Sequence, residues 1–348
     1  MIGQEIAAYI IWDLLPLIII SVFFSLLPFI TPPQIQFGVR VGSDLGGSNI
    51  IKNMKYEYSL MEVLGISMII LFLTYILGPG IFVELSGIVI FMVYSYFLYG
   101  MFRVRVSRIK KNRGISEEND VATAVILQES VKVRKWLVII PWLIILLPII
   151  AVVADIPVLR SIFYSPVFFQ LLSLPIFGTI IMEGIAFLIL GVSPFQNSVS
   201  PVKNALQMSK FNRMNFYLLI LLSSVINMNI VLSNYFLSGI NADLYLYFDL
   251  LLPSFIVLAI SVIGIRYGQV GWKLFPNAKE NNQSKGSRDD DKLWIFGVFY
   301  YNPEDSSIMV PKRFGFGYTI NFGNPISLII TSSILLGAGF LLFFAMGI

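Results

Sequence analysis

Apolar and polar positions follow two different periods along this chain. Eight stretches are apolar over the roughly 17–25 residues that a helix needs to cross a bilayer. They lie at about 7–30, 61–78, 81–102, 136–154, 168–192, 216–237, 248–265 and 326–346. Only the breaker Gly78-Pro79-Gly80 divides the second from the third, which predicts a tight helical hairpin. The pattern predicts an all-α integral membrane protein of about eight transmembrane helices. The first stretch lacks a basic leader and is too long for the core of a signal peptide, so it is expected to be a retained span.

The period changes before the last span. Trp294, Phe296 and Val298 alternate with Ile295, Gly297 and Phe299, and Phe314, Phe316, Tyr318, Ile320 and Phe322 alternate with small or polar residues. Such alternation predicts strands with one apolar face. Asn302-Pro303-Glu304-Asp305 reads as a turn with Pro at its second position. These runs are too short to span, and they predict a small β-meander over 293–325. A meander of this size is marginal alone, so its apolar face is expected to cover the membrane interface or the loop after the first span. Arg266–Phe275 is expected to continue the seventh helix, and the polar run Pro276–Lys292 to be a flexible linker.

Lys and Arg are segregated. Of 24 basic residues, all but Arg160 fall on one side of an eight-span chain. The positive-inside rule makes that side the cytoplasm of a cell (plasma) membrane protein with both termini outside. The expected layout is a seven-span bundle over 1–265 with cytoplasmic loops at 31–60, 103–135 and 193–215. A helix extension and linker over 266–292, the β-module over 293–325 and a final helix over 326–348 follow. Arg103, Arg105, Arg108, Lys110, Lys111 and Arg113 form a basic run that serves as a topogenic anchor or an anionic-lipid contact. Ser116 reads as an N-cap followed by Glu117, Glu118 and Asp120, opening a helix that leads into span four.

Composition narrows the chemistry. The chain is 57% hydrophobic and 13% charged, with a mean hydropathy of +0.81. It contains no Cys and no His, which removes thiol redox chemistry, haem and structural zinc sites, and His-based acid–base catalysis. No phosphate-binding G-x-x-x-x-G-K-[ST] occurs, and no aspartate sits in a Gly-x-Gly-Asp protease motif. No catalytic residue, cofactor or metal is expected, nor a nucleic-acid partner. The expected partners are the lipid bilayer and a protein bound at 293–325.

Glu183 lies near the middle of span five. A carboxyl at that depth is costly unless paired or protonated. It is either a helix–helix lock or a substrate, proton or ion site, with Gly184 expected to allow close approach. Asn227, Asn229 and Asn234 punctuate span six and read as interhelical hydrogen-bond glue or as a hydrophilic pathway. Asp13, Glu84 and Asp249 lie near span ends and read as interfacial. Ser333 and Gly337 have the spacing of a close helix contact, within the chain or with a second copy.

The run Asp291-Lys292-Leu293-Trp294, then Phe299-Tyr300-Tyr301-Asn302-Pro303-Glu304-Asp305, then Val310-Pro311-Lys312-Arg313 through Pro325 resembles the C-terminal domain of a family of multi-pass membrane proteins of Firmicutes and archaea. The segment Phe37-Gly38-Val39-Arg40-Val41 resembles a second signature of the same proteins. Many of them are grouped loosely with immunity membrane proteins that protect bacteria from a secreted peptide toxin. The resemblance implies a non-enzymatic protein of envelope sensing or protection, with Arg40, Trp294, Tyr300, Tyr301, Lys312 and Arg313 as candidate functional residues. The alternative is a small-solute or ion transporter or channel using Glu183, Asn227 and Asn229. Both motifs lie on the expected cytoplasmic side. They are expected to pack together, with Arg40 on an aromatic ring or on Glu304 or Asp305.

Overall fold

The computed structural model describes residues 15–77, 81–114, 132–153, 167–192, 201–237, 256–274 and 291–345. Helices make up most of them. Helix α1 (Leu15–Ile30) is almost wholly apolar and carries Pro28 in its last turn. Thr31 Oγ1 closes that end by donating to the Pro28 carbonyl at 2.9 Å. Strands β1 (Ile35–Gln36) and β2 (Val39–Arg40) then form a hairpin. A short helix α2 (Gly42–Gly46) leads into α3 (Asn49–Leu77), and α4 (Ile81–Asn112) follows. Past the end of α4, Gly114 takes φ +60 and its N–H bonds the Lys111 carbonyl, as a helix-terminating glycine does.

The middle of the chain gives α5 (Ile139–Val153), α6 (Val167–Leu190) and α7 (Pro201–Leu237). Helix α8 covers 256–267. After β3 (Trp294–Ile295), β4 (Phe299–Tyr300), β5 (Met309–Pro311) and β6 (Tyr318–Ile320), helix α9 (Pro325–Ala345) ends the described chain. Asn324 caps α9, its Oδ1 accepting from the Ile326 N–H at 2.9 Å, with Pro325 in the first position, where no N–H is needed.

Among the described residues four helices are long and apolar enough to cross a membrane: Asn49–Ile76, Ser86–Asn112, Leu172–Leu190 and Leu206–Leu232. Leu17–Ile30, Lys135–Ile150 and Pro325–Leu341 are shorter apolar helices. Three helices also overrun the expected loops. Helix α3 starts at Asn49 rather than 61, α4 reaches Asn112 rather than 102, and α7 starts at Pro201 rather than 216. Polar residues do not end a helix, and these extensions bury Ile51, Met54, Tyr58 and Val106. The segments 115–131 and 275–290, Asp13, Asp249 and the side chains of Glu84 and Asn234 lie outside what is described.

Helices α1, α3 and α4 pack as one group, and α5, α6 and α7 as another. Helix α9 lies on α6, where the Phe177 ring occupies the space a Cβ on Gly337 would take. The small residue therefore serves packing within the chain.

The 293–325 region is two hairpins rather than one meander. β3 pairs with β4, β5 pairs with β6, and a single parallel bridge between Tyr300 and Asn321 joins them. The expected strand from Phe314 to Phe322 shrinks to Tyr318–Ile320. Gly315 and Gly317 take φ +90 and +95, left-handed backbone that no strand contains. Likewise Trp294 to Phe299 is not one strand but two short ones, β3 and β4, with the chain turning between them at Phe296 and Gly297, both of positive φ.

Candidate functional site

The site lies where the C-terminal hairpins meet the ends of α3 and α4. Its frame is a pair of tips with the same three residues, Phe-Gly-Val, at 37–39 and 296–298. Each tip has two consecutive left-handed residues: Phe37 and Gly38 at φ 47 and 74, and Phe296 and Gly297 at φ 51 and 73. The first makes the two-residue loop whose twist matches antiparallel strands. A Cβ on Gly38 would fall 2.2 Å from the Tyr99 hydroxyl and 3.0 Å from the Gly297 carbonyl. The two tips thus sit together against α4. That repeat is visible in the sequence, and the reading of periodicity passed over it.

Charge locks the tips in place. The Gly38 carbonyl accepts from Arg103 Nη1 at 2.9 Å and from Arg313 Nη1 at 3.4 Å. Arg313 also pairs with Asp291, and its guanidinium lies over the Trp294 ring at 5.1 Å. The second Asp291 oxygen accepts from Lys110 Nζ at 2.9 Å, and the Arg40 N–H donates to Asp291 at 3.2 Å. Arg313 is only 2% exposed, and a buried charge is tolerable only when paired in this way. Burial alone would raise the Asp291 carboxyl. The Arg313 guanidinium, the Lys110 ammonium and the Arg40 N–H outweigh it and hold the group below the usual aspartate range.

Two expectations change here. The cation over the Trp294 indole is Arg313, and the Arg40 N–H meets the module at Asp291. Asp305 serves its own hairpin, accepting from the Tyr300 hydroxyl at 3.0 Å and from the Ser307 N–H at 2.9 Å. Asp291, assigned to a flexible linker, is the hub.

Aromatic side chains complete the joint. The Phe314 ring lies 4.3 Å from that of Tyr99 and 6.1 Å from Phe37, against which it stacks. Phe316 meets Phe211 of α7 edge-on at 5.3 Å. Tyr318 donates to Asn212 Oδ1, and burial pushes its phenol up. The buried Gln269 side chain clasps the loop, donating to the Lys312 and Gly317 carbonyls and accepting from the Gly317 N–H. Burial lowers the Lys312 ammonium. Asn321, fully buried, bonds Asn302 and Asp305 carbonyls and the Asn302 and Gly323 N–H groups. Tyr300 is buried, whereas Tyr301 is exposed beside Ile295, Phe296 and Phe299.

A separate polar seam joins α5, α6 and α7. Trp142 Nε1 donates to Glu183 Oε2 at 3.0 Å, and Glu183 Oε1 is buried without a hydrogen-bond partner. Asn227 Nδ2 donates to Thr179 Oγ1 at 2.8 Å and to the Pro141 carbonyl at 3.3 Å. Thr179 and Glu183 are one helical turn apart, and Pro141 precedes Trp142, so both groups lie at one level. Asn229, two residues on from Asn227, leaves α7 on another face. Gly184 is exposed, and a Cβ there would meet nothing within 4 Å, so it brings no helices together among the described residues.

The basic run is divided in use. Arg103 and Lys110 belong to the lock, and Arg105 pairs with Glu57 at 2.7 Å. Arg108, Lys111 and Arg113 are exposed.

Residues 303–328 match a family model described as a family of unknown function (DUF5808). The matched stretch runs from the Pro303 turn through β5, β6 and Asn321 into the first turn of α9. No curated protein and no solved structure matches the chain.

Proposed function

We propose that the chain is an eight-span protein of the plasma membrane, with both termini outside, that acts in envelope sensing or protection without catalysing a reaction. The likeness of its two motifs to the immunity-associated family of Firmicutes and archaea, and the segregation of all but one of 24 basic residues, support this reading. One observation carries it. The module is locked by buried charge and aromatic contacts, yet the β3–β4 hairpin leaves Ile295, Phe296, Phe299 and Tyr301 exposed, Phe296 at 76%. Exposed apolar groups held on a fixed platform are what a protein partner recognises. Arg108, Lys111 and Arg113 remain for anionic lipid beside it. The test is loss of the gene in its own host under peptide or envelope stress. Sensitisation reversed by the wild-type chain, and not by Phe296→Ser, supports the reading; unchanged tolerance contradicts it.

A second reading, transport through α5, α6 and α7, is favoured by the partnerless Glu183 Oε1 and the Asn227 seam. A groove of about 210 Å³ beside the first half of α7 is lined by Lys210, Arg213, Tyr217 and Tyr267 among others, with Glu183 not among them. Ion flux into vesicles that Glu183→Gln abolishes would establish transport.

A further inference from the structure

Glu62 is fully buried in α3, inside the helix that reaches spanning length. An ionisable group there calls for a reason, and neither the module nor the Glu183 seam supplies one. Its Oε2 accepts from Ser95 Oγ of α4 at 2.9 Å, while Oε1 has no partner. One turn away on each helix, toward the module, stand Tyr58 and Tyr99. Both are buried, 0% and 4% exposed; the Tyr58 hydroxyl faces the Glu62 carboxylate and the Tyr99 hydroxyl the Arg103 guanidinium, and among the described residues neither makes a hydrogen bond of good geometry. The third helix adds another such oxygen. Ser25 of α1 receives a bond from Ser59, and Leu17 belongs to the apolar cluster of Ile66, Ile70 and Phe91. Ser21 lies between these levels, close to that of Glu62. Its Oγ is buried without a partner.

Three buried hydroxyls without a well-formed hydrogen bond among the described residues therefore lie at neighbouring levels of one three-helix joint, beside a carboxylate that a serine holds by one oxygen only. Orphaned buried polar atoms are costly and rare in native interiors. Hard oxygen donors with one carboxylate suit a small hard cation. The cationic groups nearby, Arg103 and Arg313, lie on the Tyr99 side; Tyr94, whose hydroxyl donates to the Met61 carbonyl at 2.7 Å, completes the ionisable groups around Glu62. Arg103 donates to the Gly38 carbonyl and faces the Tyr99 hydroxyl from the module side, and Arg313 pairs with Asp291. We propose that Glu62, Ser95, Tyr58, Tyr99 and Ser21 form an intramembrane site for one small monovalent cation, a proton or a sodium ion. Phe314 lies on the module side of this site, its ring 4.3 Å from that of Tyr99 and 6.2 Å from that of Tyr58. Occupancy of the site is thereby tied to the seating of the module.

The test is labelling of the full chain in membranes with a hydrophobic carbodiimide, which modifies protonated carboxyls, read at residue 62 by mass spectrometry. Labelling that declines as pH rises and ignores sodium identifies a proton site. Labelling suppressed by sodium, but not by potassium or choline at the same pH, identifies a sodium site. In either case Tyr99→Phe, which keeps the ring beside Phe314, should shift the midpoint of the pH or sodium dependence roughly tenfold. Glu62 left unlabelled at every pH, or labelled equally under all these conditions, overturns the proposal.

Discussion

The Arg313 guanidinium lies over the Trp294 indole, 5.1 Å from the ring centre, and pairs with Asp291. Arg313, just past β5, thus ties the start of the module to the tip carrying Gly38, whose carbonyl it also reaches at 3.4 Å. Removing one partner of a buried pair costs ~3 kcal/mol or more, because the other charge stays behind. Arg313→Ala and Asp291→Asn should each lower stability in detergent by about that amount. The double variant should lose clearly less than the sum, and additive losses would show that the pair is not coupled.

Asp291 also sets a pH limit. Its carboxyl is held below the ordinary aspartate range, so the folded state binds its proton less readily than the unfolded chain does. The stability it contributes is fully present above about pH 4, the unfolded aspartate value, and is lost as pH falls through the lower folded value. Hydrogen-exchange protection of the Trp294–Tyr300 hairpin, taken relative to the intrinsic rate at each pH, should therefore be high at neutral pH and fall in acid. In Asp291→Asn that acid-induced step should disappear.

Two glycines separate backbone strain from crowding. Gly297 and Gly317 have φ +73 and +95, so alanine at either meets the left-handed penalty of about 1–2 kcal/mol. At Gly297 the added Cβ would also lie 2.1 Å from Arg103 Nη1 and 2.6 Å from the Tyr99 hydroxyl, whereas at Gly317 nothing stands within 4 Å. Gly297→Ala should lower the melting temperature distinctly more than Gly317→Ala.

Asn321 satisfies two N–H groups and two carbonyls from a fully buried position. Asn321→Ala leaves them unpaired and should cost roughly 2–4 kcal/mol, seen as proteolysis within 300–325. Asn227→Leu, which loses one interhelical clasp within the helix bundle, should cost only about 0.6–2 kcal/mol.

Local patterns in the sequence carried part of this architecture. Gly78-Pro79-Gly80 separates two helices that pack together, Asn302–Asp305 closes a turn with a 3.3 Å bond from the Asp305 N–H to the Asn302 carbonyl, and Phe37 meets Phe314 of the aromatic segment. What stayed hidden depends on long-range partners or on the sign of φ. Alternation of Phe with Gly at 314–317 has the same period in a strand and in a left-handed loop, and only the backbone tells them apart. Asp291 gains its meaning from Lys110, 181 residues away, and no periodicity reports that. Glu62 falls at the start of the apolar stretch 61–78, where nothing in the sequence marks it as buried, although α3 extends a further three turns before it.

The account rests on the module being fastened to the end of α4, and the native chain offers a direct test. A water-soluble carbodiimide activates a carboxylate as an O-acylisourea, which a lysine amine in contact attacks after losing its proton, releasing a urea and leaving an isopeptide bond. Lys110 Nζ and Asp291 Oδ2 are 2.9 Å apart. Treatment of membranes holding the wild-type chain, followed by digestion and mass spectrometry, should yield a peptide joined from Lys110 to Asp291 that Asp291→Asn eliminates. If Lys110 and Asp291 are both modified by single-ended reagents and never joined to each other, the module is not seated on α4.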